Sequence, residues 1–60
     1  MPVVHIHMYK GRTKEQKKEL VRRITKDFEE VVDVRPESLH ILFQDIAKED
    51  WGTRGTLASE

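Results

Sequence analysis

Cysteine is absent from this 60-residue chain, so no disulfide can compensate for a small core, and a cysteine-based zinc site is excluded. Long apolar runs are absent too. Nothing approaches the ~20 residues of a membrane span and no hydrophobic leader is found, so a cytoplasmic protein with no membrane partner is expected. Net charge is also lacking: eleven basic and eleven acidic side chains cancel. With no recognised binding motif beside the basic residues, no nucleic-acid partner is expected. Internal repeats and low-complexity segments are missing as well.

A chain this short forms one domain, residues 1–60, near the lower limit for folding alone. Of the usual supports for so small a core, self-association is the one left open. A subunit is therefore expected, not a self-sufficient monomer. The hydrophobic fraction of 37% is modest, but it is gathered into three segments, which argues against disorder. Basic residues from Lys10 to Lys26 crowd the first half and acidic ones from Asp27 to Asp50 follow. On an exposed helix such a run is a solvated face.

The first apolar segment alternates: Val4, Ile6 and Met8 point one way, and Val3, His5, His7 and Tyr9 the other. It reads as a strand that Gly11 breaks. Thr13-Lys14-Glu15-Gln16 is a capping-box sequence. Behind it Leu20, Val21, Ile24, Phe28, Val31 and Val32 form one apolar stripe at helical spacing, opposite Lys18, Glu19, Arg22, Lys26 and Glu29. The pattern predicts an amphipathic helix over residues 14–32, ended by Arg35-Pro36. Leu39 to Ile46 alternates again and predicts a second strand.

Strand, helix and strand of these lengths predict a βαβ unit with parallel strands, of α/β (α+β) class. One sheet face would be left bare for another subunit to cover. Alternation does not say which face that is. The Gly-punctuated tail, Trp51 to Leu57, is either a small hairpin or an arm reaching onto a neighbour.

Pro2 follows Met1, so removal of the methionine would leave a free secondary amine at the start of a rigid strand. Within a chain, a proline nitrogen has no basicity. At a free N-terminus it is a titratable base, and apolar or cationic surroundings push its pKa down toward working pH.

Together these pieces resemble the 4-oxalocrotonate tautomerase family, over nearly the whole chain. The resemblance rests on Met1-Pro2 opening a strand, on Gly11-Arg12-Thr13 followed by Glu15-Gln16-Lys17, on Ala47-Lys48 leading to Trp51-Gly52, and on Leu57-Ala58-Ser59. It implies a βαβ subunit with a C-terminal hairpin, dimerised by sheet pairing and assembled as a homohexamer, a trimer of dimers. It also implies keto–enol or dienol isomerisation of small unsaturated 2-oxo acids, with no metal or other cofactor.

Pro2 matches the family's catalytic base. Arg12 matches an arginine that binds a substrate carboxylate, a task suited to the planar, bidentate guanidinium. Trp51 matches an aromatic that walls the pocket. Taken alone, Arg12 reads as a solvated residue beside a turn, and Trp51 as an interface anchor. The family's second arginine aligns with His40, which is shorter and cannot grip a carboxylate bidentately; Arg35 or Arg54 are other candidate cations.

His5, His7 and His40 admit two readings, a metal site or a polar patch on the sheet, and no carboxylate in the strand pattern completes a metal shell. Two other functional readings stand beside the tautomerase: a relative using the same proline for hydration or dehalogenation, and a non-catalytic oligomeric module.

Overall fold

Valine, isoleucine and tyrosine recur through Val3–Tyr9, and such β-branched and aromatic residues favour extended backbone. This segment is the first strand, β1, of the computed structural model, which describes residues 1–60. Gly11, at φ +118°, turns the chain out of the strand through an angle that L side chains rarely adopt. Thr13 then caps α1 (Lys14–Val32), the helix expected over these residues. The Gln16 N–H donates to Thr13 Oγ1 at 3.1 Å and the Thr13 N–H donates to Gln16 Oε1 at 2.9 Å, so two of the free donors at the helix start are satisfied. At the other end Asp33 adopts the left-handed conformation, φ 58°, and the Val34 N–H donates back to the Phe28 carbonyl at 3.3 Å.

A short 3-10 turn, Pro36–Ser38, leads into β2 (His40–Ile46). The strand begins one residue later than its alternation suggests, because the Leu39 N–H is already bound to the Pro36 carbonyl of the turn at 3.3 Å. β1 and β2 pair in parallel, from Val3 opposite His40 to Tyr9 opposite Ile46. After a second 3-10 turn, Lys48–Asp50, the tail forms an antiparallel hairpin of β3 (Gly52–Thr53) and β4 (Thr56–Leu57). Of the two readings of the tail, the hairpin is what forms. Its two-residue loop has positive φ at both Arg54 (56°) and Gly55 (81°), the type I′ geometry that matches strand twist.

Register sorts the sheet into two faces. Val4, Ile6, Ile41 and Phe43 are half-buried on one of them. From α1, Lys17 Nζ reaches Asp45 at 2.6 Å and lies 5.7 Å from the Phe43 ring centroid, so this is the face that meets the helix. Val21, Ile24 and Phe28 are the half-buried apolar residues on the helix side. The other face carries Val3, His5, His7, His40, Leu42 and Gln44, all exposed.

The apolar stripe of α1 is shorter than its sequence pattern, since Val31 is 82% exposed and Val32 58%. Nineteen helical residues span roughly 28 Å and seven strand residues roughly 23 Å, so the helix is about one turn longer than the strands it packs on. No residue of the chain is buried. The helix and sheet make a contact layer, not a closed core.

Candidate active site

Two groups of side chains flank the sheet, one at each end. At the N-terminal end, the His40 N–H donates to the Pro2 carbonyl at 3.1 Å, extending the β1–β2 ladder back to Pro2. The strand partner of His40 is Val3, so the imidazole shares the open face with that residue. Pro2 is half-buried and tied to the sheet through its carbonyl. Its nitrogen becomes a base only once Met1 is removed, since an amide nitrogen holds no proton.

At the C-terminal end, the Lys10 N–H donates to the Ile46 carbonyl at 3.0 Å, carrying the ladder to the turn before Arg12. Trp51 stands edge-on to Tyr9, with centroids 4.8 Å apart and planes at 66°, a favoured aromatic geometry. Lys48 Nζ lies 5.6 Å from the Tyr9 ring centroid, within cation–π range. Sequence reasoning missed Tyr9. Its signal was the aromatic closing the first strand, in line with the single tryptophan that follows the second.

Arg12 is exposed and makes no ion pair, whereas Lys17 is held by Asp45 and Arg23 by Glu19. It opens onto a groove of about 340 Å³ lined also by Met8, Leu20, Gln16, Lys17, Arg23 and Glu19, whose carboxylate is held by Arg22 and Arg23. Pro2, His40 and Trp51 do not line this groove. Arg35 and Arg54 are exposed and likewise make no ion pair. His5 and His7 have ring centroids 6.5 Å apart, and no three His, Cys, Asp or Glu side chains gather closely enough to hold a metal ion. Within one chain, then, Pro2 lies with His40, and Trp51 with Tyr9. Pro2 and Arg12 are separated by the length of β1, roughly 23 Å.

The one ionisable group on α1 held far from its usual range is Glu19. Hydrogen bonds from Arg22 and then Arg23 lower its pKa to about 2. A carboxylate with a depressed folded pKa adds stability above its unfolded value and loses it as pH falls through the folded one. Glu19→Gln should therefore lower the melting temperature at pH 6, and the difference should close as the pH falls from about 4.5 to about 2. Because the cluster is exposed, added salt should shrink the difference as well. Melting curves of the two proteins across pH and salt check this.

The family model described as tautomerase enzyme matches residues 2–60. The chain belongs to the tautomerase family. It is 35% identical over 60 residues to a 2-hydroxymuconate tautomerase of Comamonas testosteroni, covering 100% of this chain and 95% of that one. Among solved structures, it resembles a 4-oxalocrotonate tautomerase isozyme of Methylibium petroleiphilum at a TM-score of 0.87 and 33% identity, over 97% of this chain and 94% of that one. A heterohexameric 4-oxalocrotonate tautomerase of Chloroflexus aurantiacus superposes at 0.90 with 28% identity, over 100% and 97% of the two chains. The tautomerase described here thus has the βαβ-and-hairpin fold of the 4-oxalocrotonate tautomerases, and its relatives support an isomerase activity of tautomerase type. No helix is long and apolar enough to cross a membrane.

Proposed function

We propose that this tautomerase isomerises small unsaturated 2-oxo acids between enol or dienol and keto forms, with Pro2 as general base. The observation that carries the reading is the placement of Pro2: half-buried, at the head of a strand, with its carbonyl bound by the His40 N–H. Once Met1 is removed, the prolyl nitrogen takes the enol O–H proton. The oxygen electrons then form the carbonyl, and the displaced π electrons take the same proton back at carbon. No electrons enter or leave the system. A free α-amino group ordinarily titrates near about 7.7–8.0, so modest desolvation or a nearby cation leaves it neutral at pH 7.

Arg12, free of any acidic partner, binds the substrate carboxylate, and Trp51 walls the pocket. Since β1 holds Pro2 and Arg12 apart within one chain, the working site joins the proline end of one copy to the arginine end of another, in an assembly we take to be a homohexamer. Ketonisation of phenylenolpyruvate and of 2-hydroxymuconate, followed by absorbance with protein shown by intact mass to lack Met1, tests the activity. No acceleration of either enol would refute it.

His40, at the place of the family's second arginine, leaves one strong carboxylate grip. Monoacid enols should accordingly be handled at least as well as dicarboxylates, relative to other tautomerases of this type. His40→Arg should raise kcat/KM for 2-hydroxymuconate selectively, by roughly tenfold to a hundredfold, the scale of a charge-assisted hydrogen bond of about 1.5–3 kcal/mol. An unchanged ratio between the two substrates would mean that position 40 does not face the substrate.

A further inference from the structure

At the arginine end of the sheet, one hydroxyl is held in place with nothing to bind. Tyr9 closes β1, three residues before Arg12. Its backbone is fixed opposite Ile46, and its ring is half-buried. Trp51 stands edge-on to that ring at 4.8 Å, and Lys48 Nζ lies 5.6 Å from its centroid. The phenolic oxygen takes part in no hydrogen bond within the chain. Other hydroxyls are used internally. Thr13 Oγ1 accepts from the Gln16 N–H at 3.1 Å, and the Thr56 O–H donates to the Thr53 carbonyl at 3.3 Å. A tyrosine whose ring is packed on both sides offers its polar tip, an uncharged donor, in a fixed place.

The substrate's own geometry says what that donor meets. In the enol of a 2-oxo acid, the carboxylate and the C2 oxygen are on adjacent carbons. A site that grips the carboxylate through Arg12 therefore brings the C2 oxygen close to whatever stands beside Arg12. Three residues of chain span at most about 11 Å, and both side chains are long, so one small acid can touch the guanidinium and the phenol together.

We propose that Tyr9 is a catalytic residue whose hydroxyl donates a hydrogen bond to the C2 oxygen of the substrate. The proposal rests on the isomerase activity proposed above. When the prolyl nitrogen takes the enol proton, the electron pair of the broken O–H bond stays on oxygen as an enolate. The Tyr9 hydroxyl keeps its own proton and donates a hydrogen bond to that oxygen. The charge is held there until carbon is protonated and the C=O bond closes. In the opposite direction the same bond receives the charge as carbon gives its proton to Pro2. A hydrogen bond to an anionic oxygen is roughly twice as strong as one to a neutral oxygen. The donor thus favours the charged, transition-state-like species over the bound enol or ketone, and acts on rate more than on binding. Lys48, seated on the ring, adds positive potential beside the same oxygen without making the bond itself.

Tyr9→Phe tests this in protein shown to lack Met1. The variant keeps the ring and its contacts with Trp51 and Lys48, and loses only the hydroxyl. Turnover of phenylenolpyruvate should fall by roughly tenfold to a thousandfold in kcat, up to the loss that follows removal of one oxyanion-hole donor, with KM nearly unchanged. Melting temperature should match the wild type, and so should the emission of Trp51, the only tryptophan. Lys48→Gln should lower kcat in the same direction and by less.

An unchanged kcat in Tyr9→Phe would overturn the proposal and pass the role to the Lys48 ammonium or the Trp51 N–H. A loss confined to KM would overturn it as well, because the hydroxyl would then serve binding alone. So would a larger kcat loss from Lys48→Gln than from Tyr9→Phe. A wild-type chain that accelerates neither phenylenolpyruvate nor 2-hydroxymuconate would instead defeat the isomerase activity, and the proposal with it.

Discussion

Pro2→Ala should lower enol turnover by roughly 10²–10⁴-fold, the range that positioned general acid–base catalysis contributes, while the protein still folds and assembles. Alanine leaves an amine at the same place, but a primary one, without the ring that fixes the nitrogen against β1. Some activity should remain, because the new terminal nitrogen is still basic. The His40 N–H bond to the carbonyl of residue 2 uses only backbone and survives the substitution, so the far-UV spectrum and sedimentation profile should not move. Intact mass must show that Met1 is gone from both proteins. Wild-type chain retaining Met1 should be as inactive as the variant or more so, since its Pro2 nitrogen is an amide. Near-wild-type turnover by a Met1-free alanine variant would remove Pro2 from the mechanism and leave only the fold in common with the tautomerases.

Much of the scaffold that holds Pro2 was legible in the residues. The strict alternation of Val3–Tyr9 and the Thr13–Gln16 box each tie a local pattern to one backbone geometry, and each appears where the pattern puts it. Proline at position 36 likewise starts a turn, although the helix has already ended at the left-handed Asp33. What alternation cannot carry is a sign. It divides β1 and β2 into two faces but does not name the one beneath the helix, because both are part apolar. Lys17 settles that choice through Asp45 and Phe43, a contact across 28 residues that no local pattern encodes.

The candidate site divides along the same line. Pro2 and Arg12 were each recognisable from sequence context. Their separation by a full strand, and the pairing of Tyr9 with Trp51, belong to the tertiary structure alone. On the proposed reading, a site whose parts lie at opposite ends of one small sheet would be complete only in an assembly. That reading would make the chain's function and its stability depend on the same association.

That dependence separates two substitutions at neighbouring positions. Phe43 stands on the helix side of β2 and Leu42 on the open side. Phe43→Ser removes an aromatic ring from the single helix–sheet layer. Phe43 is half-buried, so the change costs less than the about 3–5 kcal/mol of a buried Phe→Ala substitution, but still a large share of the about 3–9 kcal/mol a 60-residue domain is worth in all. The variant should melt well below the wild type at every concentration, since the loss lies within the subunit.

Leu42→Ser touches nothing within the subunit of comparable weight, since Leu42 is already 50% exposed there. Its cost falls on the contact between copies. Burying the exposed half of a leucine is worth about 1 kcal/mol, so the concentration needed for half-assembly should rise by roughly fivefold. Helical signal lost on dilution should return on concentrating this variant, and its melting temperature should climb with concentration more steeply than that of the wild type. Circular dichroism and sedimentation over a hundredfold concentration range distinguish the two behaviours. A folded Leu42→Ser monomer at micromolar concentration would show that the helix–sheet layer suffices alone, and the coupling of folding to assembly would have to be given up.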